Sequence, residues 1–125
     1  MQRAAVVMLI FGWACADLTA PGPAASVIAI VPGAVGQGSF GFAPNPLVIH
    51  ASSGSRVIWA NGDYTADPYG GIAGTPHQIV SDDGLFDSGM LDPTRAFTYR
   101  FPGPGTYNYH CLNHPTMVGI ITITP

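Results

Sequence analysis

The chain has 125 residues, enough for one domain with a modest core. Charged residues are 9% of it, with four Arg, no Lys, no Glu and a formal net charge of −3, so no basic patch can form and a nucleic-acid binder is excluded. Sixteen Gly and twelve Pro suit short strands joined by turns, and no long segment carries a helical period, which predicts an all-β chain with at most a short helical turn.

In chain order, Met1 to Ala16 reads as a signal peptide. Arg3 supplies the positive start, Ala4 to Trp13 an uncharged apolar run too short to span a bilayer, and Ala14-Cys15-Ala16 a small-x-small cleavage site. Cleavage after Ala16 leaves no membrane span in the mature chain and Cys111 as its one cysteine. Lipidation at Cys15 is the alternative, with bulky Trp13 against it. The expected location is periplasmic, secreted or at the cell surface. Residues 17–25 are Pro- and Ala-rich and read as a flexible linker. Residues 26–125 form the domain.

Within the domain, Ser26 to Val31 is predicted as a first strand and Pro32 to Gly41 as a Gly-rich connection. Leu47 to His50 and Arg56 to Ala60 read as a hairpin around Ser52-Ser53-Gly54, with His50 on its surface and Trp59 in the core. Asn61 to Pro76, with four glycines, reads as a long loop that delivers His77, and its Asp63 and Asp67 as solvated residues, two carboxylates being weak evidence for calcium. Ser81 to Gly84 is a turn with exposed acids. Ala96 to Phe101 alternates aromatics with Thr98 and Arg100 as a half-buried strand. Met90 reads as packing rather than as a ligand.

The chemistry is concentrated in Gly105-Thr-Tyr-Asn-Tyr-His-Cys-Leu-Asn-His-Pro-Thr-Met117. Strand alternation puts Tyr107, Tyr109 and Cys111 on one face and His110 on the other, so His110 is a poor ligand despite its place beside Cys111. Leu112 and Asn113 can turn the chain so that His114 returns to the thiol. Pro115 stiffens the loop, and Met117 leads into a last strand, Val118 to Thr124. A Cys, two His and a Met form a soft to intermediate donor set. Two His and one Cys with a weak axial Met describe a blue-copper electron-transfer site, whereas zinc rarely takes Met. The second imidazole must come from elsewhere, and His77, at the start of the apolar run after the long loop, is the best donor. The predicted metal ligands are therefore His77, Cys111, His114 and Met117. No catalytic residues are assigned. Cys and His could serve as nucleophile and base, but here they would bracket a metal.

The terminal segment resembles the copper loop of cupredoxins of the plastocyanin/azurin type. Its short Cys-x-x-His-x-x-Met spacing with Pro after His is similar to amicyanin-like members. Upstream, Val57 to Asp63, Pro76-His77 and Phe86 to Gly89 fall in the family's order. The chain departs from the family's habit at Gln78 and Asn113 and in the longer Asn61 to Pro76 segment. The resemblance covers roughly Ser26 to Pro125. It implies a Greek-key β-sandwich, one type 1 copper ion and a monomer that shuttles single electrons between larger redox partner proteins. A copper-binding protein for delivery or storage is the alternative function.

Overall fold

The computed structural model describes residues 24–125. The expected signal peptide at 1–16 and most of the linker at 17–25 lie outside the described residues. Ten strands follow in order: β1 Ser26–Ile30, β2 Phe42–Ala43, β3 Leu47–His50, β4 Arg56–Asn61, β5 Tyr64–Ala66, β6 Ile72–Gly74, β7 Ile79–Ser81, β8 Ala96–Arg100, β9 Gly105–Cys111 and β10 Val118–Thr124. The helical content is two 3-10 segments, Ala34–Gly41 and Ala51–Ser53.

Two four-stranded sheets pack face to face. The first runs β2-β1-β4-β8 and the second β3-β10-β9-β7. In the first, β1 lies parallel to β4 with Ile28 beside Trp59, and β8 is antiparallel to β4 with Phe97 beside Trp59. In the second, β3 is parallel to β10, and β9 is antiparallel to both β10 and β7. This is a Greek-key β-sandwich of the cupredoxin type. Among the described residues no helix is long and apolar enough to cross a membrane.

Every core strand alternates as its sequence requires. Ile28 and Ile30 of β1, Val57, Trp59 and Asn61 of β4, Tyr109 and Cys111 of β9, and Ile121 and Ile123 of β10 turn inward, with outward residues between them. Trp59 is the centre of an aromatic cluster, its ring 5.1 Å from Phe86, 5.4 Å from Tyr109 and 5.8 Å from Phe97. Gly119 lies opposite Tyr109 in the β9–β10 ladder, and a Cβ there would overlap the Tyr109 ring. The tyrosine ring therefore occupies the space that a side chain at 119 would need.

Two expectations need correction. Leu47–His50 and Arg56–Asn61 are not a hairpin, since they belong to different sheets. Each takes its backbone partners within its own sheet, β3 from β10 and β4 from β1 and β8. The turn at Ala51–Ser53 and Gly54, with φ of 98°, carries the chain from one sheet to the other. Nor is Asn61 to Pro76 a plain loop. Its middle is a small antiparallel hairpin of β5 and β6. Asp67 staples its turn, accepting the Tyr69 and Gly71 amides at 2.7 and 2.8 Å. Tyr69 stands at its tip, 98% exposed.

Candidate metal centre

Alternation along β9 decides which neighbour of the motif faces inward. Cys111 is fully buried, while His110 turns outward and its Nδ1 lies 2.7 Å from Asp82 Oδ1. The loop after Cys111 closes on itself through the backbone. The His114 amide donates to Cys111 O at 3.3 Å, the Met117 amide to His114 O at 2.9 Å, and the Cys111 amide to Met117 O at 2.9 Å. Pro115, which has no amide hydrogen, sits where the loop makes no demand for one. This folding brings His114 Nδ1 to 3.5 Å from Cys111 Sγ.

His77 arrives from the other side. It is paired with Leu91 in both directions, its amide donating to Leu91 O at 3.1 Å and accepting at its carbonyl from the Leu91 amide at 2.7 Å. Buried Asn61 locks this arrangement, donating from Nδ2 to Thr75 O and Leu91 O, both at 2.9 Å. The His77 ring is fully buried with Nδ1 3.6 Å from Cys111 Sγ. The two loops are tied by the Leu112 amide, which donates to Gln78 O at 2.8 Å. A backbone bond serves here, whatever side chain follows His77. The Gln78 side chain bonds instead to Asp87 Oδ1 at 2.8 Å.

Three donor atoms, one each from His77, Cys111 and His114, thus lie within 4.8 Å of one another, two of the residues buried and His114 half-buried. The imidazole rings stand 5.1 Å apart at 63°. One soft sulfur and two imidazole nitrogens can hold a copper or zinc ion. Met117 is fully buried at the end of the same loop. Gly41 backs it: a Cβ there would lie 3.1 Å from Met117 Cε and 2.9 Å from Ala34 O.

The electrostatics favour a thiolate. Burial alone would raise the Cys111 thiol. Hydrogen bonds from His77, the Gln78 amide, His114 and the Asn113 amide outweigh it and bring the thiol down from 9.0 to about 6. For His77, burial opposes the protonated ring, but Cys111 and Asp63 together hold it above its ordinary value. Without metal the thiolate therefore lies beside a ring that holds its proton more firmly than an ordinary imidazole, and a cation at the three donors would displace that proton.

The remaining candidates sit apart. His50 is exposed beside Ser52 Oγ at 3.4 Å. Met90 is 54% exposed, and the Asn113 amide nitrogen lies 3.8 Å from its Sδ. Asp63 is the residue that sequence reasoning missed. It is 6% exposed rather than solvated, and its Oδ2 lies 2.9 Å from His77 Nε2. The signal was present: the inward parity of Val57, Trp59 and Asn61 continues to Asp63.

No protein-family model matches the chain. Amicyanin of Paracoccus denitrificans is 28% identical over 75 residues, 60% of this chain and 53% of that protein, so the chain spans about half the length of this curated relative. A copper-containing nitrite reductase from Thermus scotoductus SA-01 matches with a TM-score of 0.60 and 25% identity over 84% of this chain but 23% of its own, a likeness to one part of a larger enzyme. A purple cupredoxin from Nitrosopumilus maritimus matches with a TM-score of 0.63 and 30% identity over 79% of this chain and 99% of its own. With the sandwich topology and the converging His77, Cys111 and His114, that near full-length match identifies the family: the chain belongs to the cupredoxins.

Proposed function

We propose that the protein is a one-electron carrier whose single type 1 copper ion would be held by His77, Cys111 and His114, with the Met117 thioether as a further, weaker donor. The observation that supports this reading best is the convergence of one thiol and two imidazole Nδ1 atoms at the end of the sandwich. Copper bound there would supply reversible exchange between its +2 and +1 states. The chain's part is to keep the donors still. The β7–β9 ladder, with Cys111 opposite Ile79, fixes Cys111, the Asn61 bonds fix the His77 loop, and the backbone bonds from Cys111 to Met117 fix His114. A rigid donor set suits both oxidation states with little rearrangement. The amides of Gln78 and Asn113 donate to the thiolate and set its donor strength.

His77 is sealed inside, so half-buried His114 is the route by which an electron reaches the surface. Leu112, 51% exposed, and Met90 give that end an apolar rim suited to brief docking of redox partner proteins. The reading assigns no catalytic residues, and the protein acts as a monomer. The Met1 to Ala16 pattern supports work in an exported compartment, and mass spectrometry from the native host should find a chain that begins at Asp17.

Voltammetry of the copper-loaded chain, with a chelator challenge beside it, separates carriage from delivery. A carrier gives one reversible one-electron wave and keeps its copper in both states. Ready loss of copper to the chelator would favour delivery or storage and defeat the proposal.

A further inference from the structure

Every polar group of Asp63 is committed. Oδ2 faces His77 Nε2 at 2.9 Å, and Oδ1 accepts the Gly33 amide at 2.6 Å. Its own amide donates to Asn61 Oδ1 at 2.9 Å, and its carbonyl accepts the Thr75 amide at 3.0 Å. Gly33 reaches it from a left-handed turn with φ of 71° directly after β1. Three separate segments are thus organised around one carboxylate, and the ion pair this buried carboxylate makes is with His77.

The geometry has a chemical consequence. His77 presents Nδ1 to the thiol, so Nδ1 must keep its lone pair free for a metal. The proton then belongs on Nε2, opposite an acceptor. A carboxylate can only accept, so it enforces that tautomer and restrains the ring. It also adds negative charge behind the ligand. Thiolate and carboxylate together balance a doubly charged ion. After one-electron reduction they leave a net charge of about −1 in a site with little water, which is unfavourable.

We propose that Asp63 is a positioning residue for His77 that holds the imidazole in its metal-binding tautomer and lowers the reduction potential of the site. The tautomer half of the inference stands without copper, whereas the potential half rests on the copper reading above.

The test has two arms. In the first, ¹⁵N NMR of the wild-type apoprotein loaded with zinc reads the His77 ring. A protonated Nε2 with a slowly exchanging hydrogen is expected, and an unprotonated or rapidly exchanging Nε2 overturns the proposal. In the second, Asp63→Asn removes the charge and one of the two hydrogen bonds that the carboxylate accepts. Zinc affinity should fall about 10–100-fold, the usual effect of losing a partner behind a ligand. The potential of the copper form should rise, and a tenfold loss confined to the oxidised state corresponds to about 59 mV. Asp67→Asn removes the same charge on the exposed hairpin and should change neither. An unchanged Asp63→Asn, or an equal shift in Asp67→Asn, overturns the proposal. If Asp63→Asn fails to fold, the wild-type NMR result decides. A copper form with no intense visible absorption would instead defeat the type 1 reading and leave the zinc result standing.

Discussion

The metal-free protein should hold Cys111 as a thiolate at neutral pH, and this can be measured directly. A drop from 9.0 to about 6 is about three units, or about 4 kcal/mol of preference for the charged sulfur. At pH 7 thiolate should outnumber thiol about ten to one, where an ordinary cysteine would show the reverse by about a hundredfold. The sulfur's ultraviolet absorbance, followed against pH in the apoprotein, should titrate near 6. His77→Ala should move the midpoint up, because burial would then face fewer compensating hydrogen bonds, and His114→Ala should do the same to a smaller degree. The sign for stability follows from the depressed value. The thiol's contribution is full above about 9, falls by about 1.4 kcal/mol per unit between 9 and 6, and is gone below 6. At pH 7 about 1.4 kcal/mol of it remains. His77, shifted upward, contributes in the opposite sense: its share is full below the ordinary imidazole value and is lost as pH rises through the raised one. A thiol midpoint at 8 or above, unaffected by His77→Ala, would refute the account of the preorganised site.

Two further substitutions test the geometry. His50→Ala and His110→Ala should leave the visible spectrum of the copper form nearly unchanged, since both rings lie outside the donor cluster; loss of colour in either would mean that the wrong imidazoles have been chosen. Gly119→Ala should lower the melting temperature, because its methyl group meets the Tyr109 ring. The expected cost is about 1–3 kcal/mol of overpacking, and an unchanged melting curve would show that the ring can yield.

Much of this architecture is legible in the residues themselves. β9 and β10 announce themselves by alternation, and so does the inward turn of Cys111 against the outward turn of His110. The loop spacing from Cys111 to Met117 carries the chemistry because it is local. What stayed hidden depends on distant partners. The sequence around Ser52-Ser53-Gly54 looks the same whether the chain makes a hairpin or crosses between sheets, and only the partnership of β3 with β10 decides it. The β5–β6 hairpin has little apolar alternation because both strands are exposed. Asp63 was overlooked because a carboxylate among glycines suggests solvent, yet its position continues the buried face of β4 toward His77. Residue type and residue parity disagreed there, and parity won because a buried imidazole supplied the partner.

The central claim is that Cys111 binds copper as a thiolate between two imidazoles. The absorption spectrum of the copper-loaded chain, recorded beside that of Cys111→Ser, tests it most directly. An intense visible band from sulfur-to-copper charge transfer is expected in the wild type, blue in colour, and should be lost when the sulfur is replaced by oxygen. A pale wild-type spectrum, or an equally intense band in Cys111→Ser, would contradict the account.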